Sequence, residues 1–184
     1  QVNDDEKELL ESFQLLTTKP VLYVCNVDEK SAKDGNAFVA QVKEAVKNEE
    51  AEVIVLAVAT EADITELESY EERKMFLEDI GLEEPGASKL IRAAYHLLNL
   101  QTYFTAGVKE VRAWTIKKGT NAQNSAGEIH TDIQKGFIRA EVVEFNKFIE
   151  NKGWQGSKEK GDMRLEGKEY IVNDGDVMFF RFNV

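Results

Sequence analysis

Asn26, Val27, Asp28 and Glu29 follow directly on the apolar run Val21-Leu-Tyr-Val-Cys25, and the C-terminal end of a buried strand is where open α/β sheets place their ligands. A carboxamide followed three residues later by a carboxylate suits the edge of a purine. The Asn26 side chain can hold its loop and contact the base, while the Glu29 carboxylate can accept hydrogen bonds from N1 and the exocyclic amine of guanine. Adenine offers no such donor pair. The same residues also fit a plain cap or turn, because short polar side chains close turns and helix starts. The pattern by itself leaves both readings open.

The elements that must hold this loop are legible around it. Lys19 to Asn26 is a short apolar run between a proline and a polar turn, as expected of a buried strand in a parallel sheet, and Val53 to Ala59 repeats it. Between them Phe38, Val39, Val42, Ala45 and Val46 recur at helical spacing after the start signal Asp34-Gly-Asn36. Strand, helix, strand is a βαβ unit. One or two surface helices are expected from Asp63 to Ile80, ended by Gly81, and another through Leu90 to Leu98 with Ser88 near its start.

After residue 100 the texture changes. Thr102 to Thr105 and Val111 to Ile116 read as two strands of a hairpin turning near Ala106-Gly107. Ile138 to Val143 reads as a strand that passes into helical spacing at Phe145, Phe148 and Ile149. Lys168 to Val172 and Val177 to Val184 read as strands joined by the turn Asn173-Asp-Gly175. Two small domains are therefore expected, 1–99 and 100–184.

Charge divides at the same place. Residues 1–100 hold 10 Lys and Arg against 22 Asp and Glu, a balance of -12, and the remainder 13 against 12, a balance of +1, which sum to the net -11. Phosphates repel the first part, so any RNA contact belongs to the second. Lys109, Arg112, Lys117 and Lys118, with Lys152, Lys158, Lys160, Arg164 and Lys168, are its basic positions, readable as a phosphate-facing surface or as a solvated face. Trp114 and Trp154 read as core more readily than as stacking platforms. His130 beside Asp132 has no accompanying nucleophile, and His96 has no metal-binding neighbours in sequence. Cys25 is the single cysteine, which excludes an intrachain disulfide and a cysteine metal cluster. No apolar run approaches the roughly 20 residues of a membrane span, and Gln1 to Glu11 has neither the basic nor the apolar region of a signal peptide. A soluble, cytoplasmic protein is expected.

P-loop GTPases carry Asn-Lys-x-Asp where this chain has Asn26-Val-Asp-Glu29, and the segment Lys19-Pro-Val-Leu-Tyr-Val-Cys-Asn-Val-Asp-Glu29 resembles the Asn-x-x-Glu segment of the YchF, or Obg-like ATPase, branch of the Obg family. Val58-Ala-Thr-Glu-Ala-Asp-Ile64 resembles the stretch after the next strand of that family, where backbone groups wrap the base. Leu100-Gln-Thr-Tyr-Phe-Thr-Ala-Gly107, Val111-Arg-Ala-Trp-Thr115, Ile129-His-Thr-Asp-Ile133, Gly136-Phe-Ile-Arg-Ala-Glu141 and Gly175-Asp-Val-Met-Phe-Phe-Arg-Phe-Asn183 together resemble a TGS domain.

The resemblance implies an α/β remnant of a P-loop nucleotide-binding domain, entered from the end of a helical insertion in residues 1–16. An α+β, ubiquitin-like β-grasp TGS domain follows. It implies ATP, with GTP less favoured, held at the base by Asn26, Val27, Glu29, Val58 and Ala59. It implies a ribosome or ribosomal RNA partner through the TGS domain, with Lys109, Arg112, Lys117 and Lys118 as contacts. No Gly-x-x-x-x-Gly-Lys-Ser/Thr and no magnesium-binding Asp-x-x-Gly of that family occurs in the 184 residues. Phosphoryl transfer rests on that loop and its metal. Phosphates and Mg2+ are therefore expected outside this chain, in an N-terminal half, and the chain alone is expected to be inactive. The competing expectation is a non-enzymatic adaptor that binds RNA or protein through the TGS domain.

Overall fold

A computed structural model of the chain describes residues 3, 6, 9, 10, 12–49 and 51–183. The fold is mixed α/β, in two compact units that divide between Leu98 and Asn99. Much of the segment expected to end a helical insertion, 1–16, lies outside the described residues.

In the first unit β1 (Leu22–Asn26) and β2 (Glu52–Leu56) pair in parallel, from Leu22 opposite Glu52 to Asn26 opposite Leu56. They are joined through α1 (Ala37–Ala45), whose start is fixed by Asn36: its Oδ1 accepts the amides of Phe38 and Val39. Then come α2 (Val58–Glu66), α3 (Tyr70–Asp79) and α4 (Gly86–Leu97). Ala32, Ala57, Ile64, Leu77 and Leu82 form the core, with Val27, Phe76 and Ile80 packed against it.

Two expectations are corrected here. The second strand stops at Leu56, not Ala59, because Val58 already opens a helix that buries Thr60 and Ile64 one turn apart. A short apolar run cannot by itself tell a strand from a buried helical turn. The strands are also less buried than their composition suggests, with Val24 45% exposed.

The second unit is a five-stranded sheet in the order β4-β3-β7-β5-β6. Its elements are β3 (Leu100–Ala106), β4 (Val111–Lys117), α5 (Ala122–Ile129), α6 (Thr131–Lys135), β5 (Phe137–Glu144), α7 (Phe145–Glu150), α8 (Trp154–Lys160), β6 (Arg164–Glu166) and β7 (Asp176–Phe182). β3 and β7 run parallel, meeting at Phe104 and Val177, and the other pairs are antiparallel. Tyr103, Ile116, Ala140, Val142, Met178 and Phe180 pack with Ala122 and Ala126 of α5 in one core. Side chains alternate across a sheet, and the opposite set takes the second layer. Phe104 meets Phe145 of α7 with ring centres 5.4 Å apart, and Trp154 of α8 lies 6.2 Å from Phe179.

The strand expected at Lys168 to Val172 is reduced to an isolated bridge between Ile171 and Asn121, and the edge of β5 away from β7 pairs with Arg164–Glu166. The backbone of this stretch bonds to the start of α5 and the turn before it, the Tyr170 carbonyl accepting the Ala122 amide at 2.8 Å and the Val172 amide donating to the Thr120 carbonyl at 3.1 Å. The Tyr170 hydroxyl adds side-chain bonds, donating to Asp176 and accepting from Arg164 and Asn173.

Candidate functional site

Asn26 ends β1 beside the end of β2, where its side chain is already engaged. Its Oδ1 accepts the Val58 amide at 3.1 Å, while the Val27 amide donates to the Leu56 carbonyl at 2.8 Å. These two bonds tie the loop after β1 to the first turn of α2. The residue before that helix is Ala57, which has no side chain to cap it, so Asn26 supplies from another strand the acceptor that a helix start needs.

With Oδ1 committed, the Nδ2 amide of Asn26 is the group left to donate outward. Val58 and Ala59 are exposed, and the Ala59 amide has no acceptor among the described residues. Glu29 is exposed, with no hydrogen bond or ion pair to its carboxylate among the described residues. Asp28 is taken up in the turn, its Oδ1 accepting from the Ser31 amide at 2.9 Å. The fold thus brings Asn26 and Val58 into contact, puts Glu29 on the same loop, and turns the Val27 side chain to the core. An outward carboxamide donor, an open backbone amide and an unpaired carboxylate can bind the hydrogen-bonding edge of a planar heterocycle.

Glu61 was not legible as part of this site. From α2 its Oε1 accepts the Gly86 amide at 2.6 Å and its Oε2 the Ala87 amide at 3.1 Å. Its partners lie 25 residues and more along the chain, and no local spacing signals such a pair.

The four candidate contacts Lys109, Arg112, Lys117 and Lys118 are not gathered on one face. Lys109 sits in the hairpin turn and Arg112 lies over the Trp114 ring, 4.0 Å from its centre. Arg112 shares its side of β4 with Trp114 and Ile116, whereas Lys117 falls on the other side by alternation. Among the described residues none of the four pairs with a carboxylate, although Lys147, Arg164 and Arg181 of the same unit do. His130 is structural, because its Nδ1 accepts the Asp132 amide and caps α6. Trp154 donates from Nε1 to the Ala106 carbonyl at 2.7 Å, and Trp114 to the Thr105 hydroxyl at 2.9 Å. Cys25 is half-buried. Among the described residues no cluster of three or more His, Cys, Asp or Glu could hold a metal, and no helix is long and apolar enough to cross a membrane.

The family profile YchF-GTPase_C, described as a protein of unknown function (DUF933), matches residues 100–183. The ribosome-binding ATPase YchF of Haemophilus ducreyi is 53% identical over 183 residues, covering 100% of this chain and 50% of the relative. That of Escherichia coli O157:H7 is 54% identical over 180 residues, covering 98% and 49%. The chain belongs to the YchF family. A solved member of the family, the YchF GTPase of Schizosaccharomyces pombe, superposes with a TM-score of 0.85 at 32% identity, covering 98% of this chain and 48% of that one. The chain spans about half the length of the curated YchF relatives it matches, and corresponds to their C-terminal half.

Proposed function

We propose that this chain is the C-terminal part of a cytoplasmic, ribosome-associated ATPase. Its first unit is the end of a P-loop nucleotide-binding domain and its second a TGS domain with a β-grasp fold. The observation that supports this is the bond between Asn26 Oδ1 and the Val58 amide, beside which a carboxamide donor and an open backbone amide stand at the ends of two parallel strands. In this reading Asn26 Nδ2 donates to N7, an acceptor on both adenine and guanine. The Ala59 amide faces a ring acceptor, Val58 closes over the base, and Val27 supports the loop from the core side. The Glu29 carboxylate can take the adenine N6 amine, and the nucleotide is ATP, with GTP less favoured, as the resemblance to the YchF family implies. The phosphates and Mg2+ are held by the half of the protein outside this chain.

The second unit meets the ribosome or its RNA. Lys109, Arg112, Lys117 and Lys118 carry positive charge that no carboxylate among the described residues neutralises, and phosphate contacts recruit such groups. The test is co-sedimentation of the full-length protein with ribosomes. Reversing charge at Lys117 and Lys118 together lowers the bound fraction and flattens its dependence on salt by about one to two ions released. Co-sedimentation that survives the reversal at every salt concentration removes these lysines from the contact.

A further inference from the structure

The end of the first unit contains two helices that cannot cap themselves. Ala57 precedes α2 and Pro85 precedes α4, and neither offers a side-chain acceptor. Each start is closed from elsewhere, α2 by Asn26 and α4 by Glu61, which itself stands on the first turns of α2. The second closure is tight. A Cβ at Gly86 would lie 2.3 Å from Leu56 Cδ2 and 2.9 Å from Glu61 Oε1, so a larger residue there would displace the Leu56 side chain and the carboxylate from the start of α4. A carboxylate at the positive end of a 12-residue helix is held by both hydrogen bonds and the helix dipole.

Asn26, the first turn of α2, Glu61 and the start of α4 therefore form one continuous chain of contacts with Leu56 at its centre. We infer that Glu61 is a positioning residue for base recognition: by clamping α2 to the start of α4 it fixes where the Val58 and Ala59 backbone stands relative to Asn26. The inference rests on the nucleotide-base reading given above. Glu61 touches no base in this scheme and acts through α2. Hydrogen bonds to a base edge weaken steeply with misalignment, so a displaced first turn alters the discrimination between bases more than it alters the grip on phosphates.

Equilibrium affinities of the full-length protein for ATP, GTP and inorganic tripolyphosphate separate these effects. With Glu61→Ala the preference for ATP over GTP narrows by about threefold or more, a change of roughly half a decade, while tripolyphosphate binds as before. Glu61→Gln keeps one acceptor for the Gly86 amide and falls between the two. If either variant weakens both nucleotides equally, or leaves the ratio at the wild-type value, Glu61 is only a structural cap and the inference is overturned. A wild-type protein that binds ATP and GTP no more tightly than tripolyphosphate removes the base-site reading itself, independently of Glu61.

Discussion

Replacing Asn26 by Ala in the full-length protein weakens ATP binding by about ten- to a hundredfold, the consequence of losing roughly 1.5–3 kcal/mol of hydrogen bonding. Two losses add. The Val58 amide loses the acceptor at 3.1 Å that closes the start of α2, a cap worth about 1 kcal/mol. The base loses the Nδ2 donor. Asn26→Asp separates the two, because a carboxylate still accepts the Val58 amide but has no proton to give N7. The Asn26→Asp protein therefore keeps its melting temperature near wild type and still loses most of the affinity. Titration calorimetry with ATP reads both variants, and an Asn26→Ala protein that binds ATP as tightly as wild type eliminates the base contact.

The loop around Asn26 could be read from sequence because every signal there is local. An apolar run ends, a short polar side chain follows, and a carboxylate stands three residues on. Asn36 is local in the same way, capping two amides within its own helix start. The hairpin of β3 and β4 also declared itself, through β-branched and aromatic residues on either side of a glycine turn. Val58 could not be read this way. Its helix begins there because Asn26, 32 residues earlier, takes its amide, and no window around Val58 contains that fact.

Small residues hid other elements. Helix α5 buries Ala122, Ser125 and Ala126, which gives it a helical face with little apolar contrast. Its packing shows only once Tyr103 and Met178 are known to lie against it. The basic positions were legible as a count and not as a surface, since alternation along β4 sends Arg112 and Lys117 to opposite sides. Ile171 illustrates a further limit: a β-rich composition became a single bridge, because the backbone groups of Tyr170 and Val172 bond to Ala122 and Thr120 around the start of α5.

Tyr103→Ala destabilises the second unit by about 3–5 kcal/mol, as expected for truncating a fully buried aromatic. Tyr103 is 0% exposed, lies edge-on to Phe180 with ring centres 6.0 Å apart, and donates from its hydroxyl to the Ser125 carbonyl at 2.8 Å. That bond joins the sheet to α5, and it persists over a wide pH range because burial, aided by the charge of Glu128, raises the phenol far above its ordinary pKa. The hydroxyl and the ring are separable. Tyr103→Phe keeps the ring and removes only the hydrogen bond to the Ser125 carbonyl, at a cost of about 1–2 kcal/mol. Both tryptophans of the chain, Trp114 and Trp154, belong to the second unit, so fluorescence-detected melting of the whole chain reports on that unit. At about 4–8 °C per kcal/mol for a domain of this size, the Tyr103→Ala protein melts at least ~12 °C below wild type and the Tyr103→Phe protein clearly less far. Equal shifts for the two variants would assign the whole effect to the hydroxyl, and the ring of Tyr103 would then not be the centre of this core.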